Sequence, residues 1–390
     1  MKIGIITFHA SFNYGSMLQA WALQTFLTKL GHDVEIINFR QKSQKLGYAK
    51  PIAFSSLPNV KRSVKRMLAP ATIRPLYRKW HLFDGFMHRW LNLTDEYNTL
   101  DQLRQAGFDL DALITGSDQI WNTTVFDFSE AYFGTFVDRR TAKIAYAPSM
   151  GPDPESQDEA YLKSLLNGYK AVSVREERTK DFLESNGICG NVSVVLDPTM
   201  LLDAADYGIL YDQKPLVDGQ YIFYYTPGYG PRHEFLREAS YLGRQLNLPV
   251  ICDNCYIPGA LRGYDNIRPH IATGPTEFLN LVKNATVVCG ASFHLMVFSI
   301  LFRKDFYCMN GDVDSRMNNL MKTLRLEDRI WSITDKSRNR IAPTEYTAAF
   351  AEAYAGQKRK SQECLARIFC QKDNKDKAAE CIKEYIYILK

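Results

Sequence analysis

"KIGIITF" (residues 2–8), "SMLQAWALQTFLTKLG" (16–31) and "HDVEIINF" (32–39) decide the fold. The outer two are short apolar runs bounded by polar residues, as buried parallel strands are. Between them, Met17, Ala20, Trp21, Leu23, Phe26, Leu27 and Leu30 recur at helical spacing, and Gly31 supplies a stop. Strand, amphipathic helix and strand make one βαβ unit, whose crossover is right-handed.

The same rhythm resumes later. "LDALIT" (110–115), "KIAYAPS" (143–149), "AVSVRE" (171–176) and "VSVVLD" (192–197) read as strands, each ending in polar or turn residues. A second set begins near 220, with strands in "QYIFYYTPG", "LPVICDN", "TVVCG" and "DFYCMN" and helices between them. A chain of 390 residues exceeds what one core serves. The pattern therefore predicts an α/β protein with two Rossmann-like domains whose parallel sheets face each other across a cleft. The expected limits are 1–210 and 211–343, followed by a helical tail over 344–390.

Residues 41–105 interrupt the first domain. Between 61 and 90 Lys61, Arg62, Lys65, Arg66, Arg74, Arg78, Lys79 and Arg89 are opposed only by Asp84, and Trp80, Phe83, Phe86, Met87 and Trp90 give the later part an apolar face. The plain reading is a solvated basic helix packed on the domain. The functional reading is a peripheral contact with anionic membrane lipid, or a site for a lipid-phosphate acceptor.

Composition excludes several classes. A net charge of +5 is mild for this length and no nucleic-acid-binding module accompanies it, so no nucleic-acid partner is expected. No apolar run approaches the roughly 20 residues that span a bilayer. The N-terminus reads as a first strand, so a cytoplasmic location is expected, at the inner face of the membrane if the basic segment touches lipid. The eight cysteines sit mostly within apolar strands and helices, as Cys289, Cys308, Cys364 and Cys381 do, which is the scatter of reduced thiols. Cys252 and Cys255 have metal-ligand spacing, but no second pair completes a zinc set, and no metal is expected.

In open parallel sheets ligands bind beyond the carboxyl ends of strands. That rule selects "HASFNYGSM" after the first strand, where His9, Asn13, Tyr14, Gly15 and Ser16 lead into a helix whose free N–H groups favour an anion. A dinucleotide fingerprint is missing there. Asn13 and Ser16 also serve as helix caps, a role compatible with ligand binding. The rule also selects Gly116, Ser117, Asp118 and Gln119 of "TGSDQIWN" (115–122), and Ser149 after "KIAYAP". Asp118 and Gln119 either bond ligand hydroxyls or brace neighbouring loops. Arg175 in "SVREE" suits a carboxylate or phosphate, or an ion pair with Glu176 or Glu177. Asp197 reads as a cap ahead of Pro198. Ser292 caps an apolar helix that carries His294 in its first turn. Trp121, Tyr146, Tyr225, Tyr229 and Tyr256 stand where aromatic rings could stack on a ligand, or serve as core.

Together, "GIITFHASFNYGSMLQAWAL", "GSDQIWN", "IAYAPSMG", "SVREE", "VLDPTMLL" and "ASFHLMVFSI" follow one another in an order that resembles the polysaccharide pyruvyl transferase family. The resemblance implies a GT-B-like pair of domains and transfer of pyruvate from phosphoenolpyruvate to a sugar or lipid-linked glycan acceptor. The product would be a ketal, with phosphate released and no further cofactor. Family roles for histidine and arginine map onto His294 and Arg175. The family commonly has glycine after that histidine, where this chain has Leu295, a side chain that would crowd the donor if it faced it. Two other readings share the residues: a nucleotide-sugar glycosyltransferase of GT-B architecture, and a glycan-binding protein without turnover.

Overall fold

The computed structural model describes residues 1–151, 153–228, 232–253, 259 and 261–369. Tyr229, Cys255, Tyr256, Cys381 and the end of the tail expected over 344–390 lie outside the described residues.

The first sheet holds β1 (Lys2–Ile6), β2 (Asp33–Ile36), β3 (Ala112–Thr115), β4 (Ala142–Ala145), β5 (Tyr169–Val174) and β6 (Ser193–Val194). Their order is β2-β1-β3-β4-β5-β6, with every neighbouring pair parallel. The second sheet holds β7 (Ile222–Tyr225), β8 (Val250–Cys252), β9 (Ile267–Pro269), β10 (Val287–Gly290), β11 (Asp305–Met309) and β12 (Ile330–Trp331), ordered β12-β11-β10-β7-β8-β9, again all parallel. Each order reverses at one place, between β1 and β3 in the first sheet and between β7 and β10 in the second. Such switch points open a crevice at the carboxyl ends of the strands.

The helices are α1 (Tyr14–Lys29), α2 (Lys42–Gly47), α3 (Leu57–Met67), α4 (Pro70–Trp90), α5 (Leu100–Ala106), α6 (Glu159–Leu166), α7 (Glu177–Ser185), α8 (His233–Gln245), α9 (Pro275–Asn284), α10 (Phe293–Leu301), α11 (Ser315–Thr323) and α12 (Ala348–Phe369). The Asn13 carboxamide oxygen accepts from Gly15 and Ser16 N–H to start α1, and Gly31 at φ +82° ends it. α1 differs from the amphipathic surface helix that its spacing suggests. Leu18, Gln19 and Ala22 are buried as well, because α9 and α10 of the second domain cover the side the first sheet does not.

One apolar core runs through both domains and includes Met17, Trp21, Tyr207, Phe278 and Phe298. The Trp21 and Tyr207 rings are 5.2 Å apart, and Tyr207 meets Phe298 edge-on at 5.1 Å. α4 belongs to the same body, burying Phe83, Phe86 and Met87 and packing on α9. α12 returns to the first domain, where Ser361 Oγ accepts from Leu196 N–H at 2.9 Å and Lys358 pairs with Asp203 at 2.7 Å. Among the described residues no helix is long and apolar enough to cross a membrane.

Candidate active site

The two switch points meet. A cavity of about 270 Å³ is lined by Phe8, Ser11, Asn13 and Ser16 from the β1–α1 connection and by Asp118 and Gln119 after β3. Its far wall is Pro227 after β7 and Ala291, Ser292, Phe293 and His294 after β10. Arg175, at the end of β5, completes it from the first domain.

Arg175 is buried in a charge network. Its Nε donates to Glu176 at 2.8 Å, its Nη1 to Asp197 at 3.0 Å, and the guanidinium lies 4.3 Å over the Phe293 ring. Burial opposes the charge, but Glu176, Asp197 and Asp118 outweigh it and raise the pKa of Arg175 further. The ion pair and the ligand reading are therefore not alternatives. The remaining nitrogen, Nη2, is buried with no hydrogen-bond partner among the described residues, and so is the Ser11 hydroxyl on the same cavity. Orphaned buried donors of this kind cost free energy unless a ligand satisfies them.

Asp197, read from sequence as a cap, caps and does more. Its Oδ1 accepts from Thr199 N–H and hydroxyl at 3.0 and 2.6 Å. Its Oδ2 receives Arg175 and the Ser117 hydroxyl, and lies 3.4 Å from His294 Nε2. Burial would raise this carboxyl, but His294, Arg175 and Thr199 together hold it well below the usual carboxylate range. A buried carboxylate thus stands beside the imidazole. The other edge of that ring faces Gly15, where any Cβ would collide with Nδ1. Glycine in the first turn of α1 is what lets the histidine of the second domain approach.

Asp118 both lines the cavity and braces it. Its Oδ2 accepts from the Ser16 hydroxyl at 2.5 Å, and its Oδ1 from Gln119 N–H at 2.8 Å. Asp127 also faces the cavity, and burial, aided by Asp118, pushes its carboxyl up against a hydrogen bond from Gln44.

Among the expected site residues, Asn13, Ser16, Asp118, Gln119, Arg175, Ser292 and His294 line this one cavity. Gly116, Ser117 and Ser149 form the framework behind it: Ser117 bonds Ala147 O and Asp197, and Ser149 Oγ accepts from Gly151 N–H. His9 is turned away, its ring held by Asn38 at 3.0 Å and Thr7 O at 3.3 Å. Trp121 and Tyr146 are core, with Trp121 stacked on Phe133 and Tyr146 bonded to Leu196 O. Leu295 points into the core beside Gly290 and does not line the cavity. Arg316, absent from the sequence-based set, does line it, with its guanidinium 2.6 Å from Asp314. It follows β11, so the strand-end rule would have reached it.

A second cavity, of about 230 Å³, adjoins the first and shares Asn13, Tyr48 and Pro227 with it. Its other walls include Phe12, Tyr14, Lys79, Trp80 and Tyr225. Tyr14 donates its hydroxyl to Asp253 at the end of β8 and accepts from Lys79 at 2.9 Å, tying α1, α4 and the second domain together.

Solved structures of low sequence identity share this two-domain arrangement. An assigned UDP-N-acetylglucosamine 2-epimerase from Listeria monocytogenes is 10% identical, with 96% of this chain and 97% of that one covered at a TM-score of 0.52. The UDP-GlcNAc 2-epimerase of Methanocaldococcus jannaschii is 11% identical, covering 99% and 100% at 0.49. The E. coli heptosyltransferase WaaC is 12% identical, covering 79% and 88% at 0.38. At 10% identity the likeness to the Listeria monocytogenes protein speaks for the GT-B-like fold alone. No curated protein matches the sequence. Residues 13–312, which carry every cavity-lining strand end from Asn13 to His294, match the model for polysaccharide pyruvyl transferase, and the chain belongs to that family.

Proposed function

We propose that the chain transfers the pyruvyl group of phosphoenolpyruvate to a sugar of a cell-surface glycan precursor, forming a ketal and releasing phosphate. One observation carries the reading: an unsatisfied Arg175 Nη2 and an Asp197-backed His294 share one cavity. The donor carries a carboxylate and a phosphate, and Arg175, Arg316 and the N-terminus of α10 offer it cationic and N–H partners.

The chemistry needs one proton delivered and two removed. His294, with Asp197 beside its ring, gives a proton to the methylene carbon of the donor, and the adjacent carbon becomes oxocarbenium-like. A sugar hydroxyl attacks that carbon, and the neutral imidazole takes back its proton. Phosphate then departs with its bridging oxygen, and a second hydroxyl of the same sugar attacks and gives its proton to the released phosphate, closing the ketal. The acceptor occupies the adjoining aromatic cavity, where Trp80, Tyr48 and Tyr225 offer ring faces.

Phosphate release from phosphoenolpyruvate, with a glycan acceptor present, tests this. His294→Gln should lower kcat by about 10² to 10⁴ with donor affinity retained, and Arg175→Lys should raise the donor KM. Normal turnover in both variants would exclude the assignment.

A further inference from the structure

α3 is built inside out. Its inner side buries polar Asn59 and Ser63, the latter exchanging hydrogen bonds with Ala53 N–H and C=O at 2.9 Å. Its outer side shows Leu57 at 78% exposure and Val64 at 51%, continued by Met67 and by Leu68 at 82%, and Phe54, three residues before Leu57 in sequence, is exposed at 64%. Positions 57, 64 and 68 fall on one helical face, and Lys61 and Lys65 flank it. Surface helices of globular proteins turn the other way, so this apolar strip is made for something that covers it.

We infer that α3 docks the protein on an anionic bilayer. Lys61 and Lys65 are exposed and make no ion pair among the described residues, and Arg74 and Arg78 add exposed positive charge on α4. A second copy paired through the same strip would set these cations against their own equivalents. An anionic lipid surface complements both the apolar strip and its basic border. The inner side of the helix carries Arg62 and Arg66 into the second cavity, so a seated α3 holds that cavity at headgroup level. This last consequence, a membrane-borne acceptor, rests on the transfer reading; the docking itself does not.

Cosedimentation of the full chain with vesicles of phosphatidylcholine, alone or mixed with phosphatidylglycerol, tests the inference. Binding should require phosphatidylglycerol and weaken with salt. Leu57→Ser/Val64→Ser/Leu68→Ser should lower it roughly tenfold or more, as should Lys61→Glu/Lys65→Glu, with unchanged circular dichroism and melting. Three results would overturn it: no binding by the native chain, equal binding by the variants, or a dimer in solution that the triple variant dissociates. Phosphate release to a water-soluble acceptor is indifferent to all three and separates failure here from failure of the transfer reading.

Discussion

The loops at the two switch points begin alike and end differently. Gly116 and Gly290 leave β3 and β10 with φ of +131° and +152°, and a Cβ on either would strike the main-chain oxygen of a tyrosine on the neighbouring strand, Tyr146 or Tyr225. A serine follows directly in the first loop and two residues on in the second. From there the paths separate. In the first domain Ser117 turns inward to Ala147 and Asp197, Asp118 sits at φ +68°, and Trp121 drops into the core. In the second, Ser292 caps α10 and sets His294 in its first turn. One backbone device thus yields a brace on one side of the cleft and the proposed proton donor on the other.

Asp197 joins the two sides, and removing its charge should produce the largest loss of stability. Asp197→Asn leaves Arg175 short of a buried partner and should cost about 3–5 kcal/mol in chemical denaturation. The sign with pH follows from its lowered carboxyl. Its contribution is complete above the ordinary carboxylate value of about 4 and fades as pH falls below it. The native chain should therefore lose stability under acid that the variant has already lost, and parallel acid profiles would contradict the network.

The matched glycines come next. Gly116→Ala and Gly290→Ala should each destabilise by about 1–3 kcal/mol, from strained φ and the blocked carbonyl. The comparison sharpens in the kinetics: the change at 290 moves the loop that carries His294 and should lower kcat beyond what the loss of folded protein explains. Equal kinetic effects at both positions would erase the distinction between brace and proposed proton donor.

Gly15→Ala is the mildest for the fold. Alanine favours a helix over glycine by up to about 1 kcal/mol, but its Cβ would meet the buried His294 ring at an overpacking cost of about 1–3 kcal/mol, so melting should fall modestly. The new Cβ displaces His294, and kcat should fall roughly tenfold by misplacing the proton donor. Full activity in this variant would show that the Gly15–His294 approach does not matter.

Much of this was legible in the sequence, because strand ends in a parallel sheet are where polar residues interrupt apolar runs. That rule found Asn13, Ser16, Asp118, Gln119, Arg175, Ser292 and His294 without knowledge of strand order. It failed where a side chain's direction depends on the neighbouring strand. Ser117 and Ser149 stand at strand ends but face inward, and Trp121 and Tyr146 follow strands yet fill the core. Asp197 looked complete as a cap because its second oxygen serves residues 22 and 97 positions away. The burial of α1 on both sides depends on a second domain whose approach no local periodicity encodes. The outward apolar face of α3 was hidden for a related reason: only tertiary contacts show that Asn59 and Ser63 are the buried side.

Donor binding puts the central claim to its most direct test. Titration of the native chain by calorimetry with phosphoenolpyruvate, and separately with a panel of nucleotide sugars, should show saturable binding of phosphoenolpyruvate that Arg175→Lys weakens. Saturable binding of a nucleotide sugar, with no heat from phosphoenolpyruvate, would contradict the account.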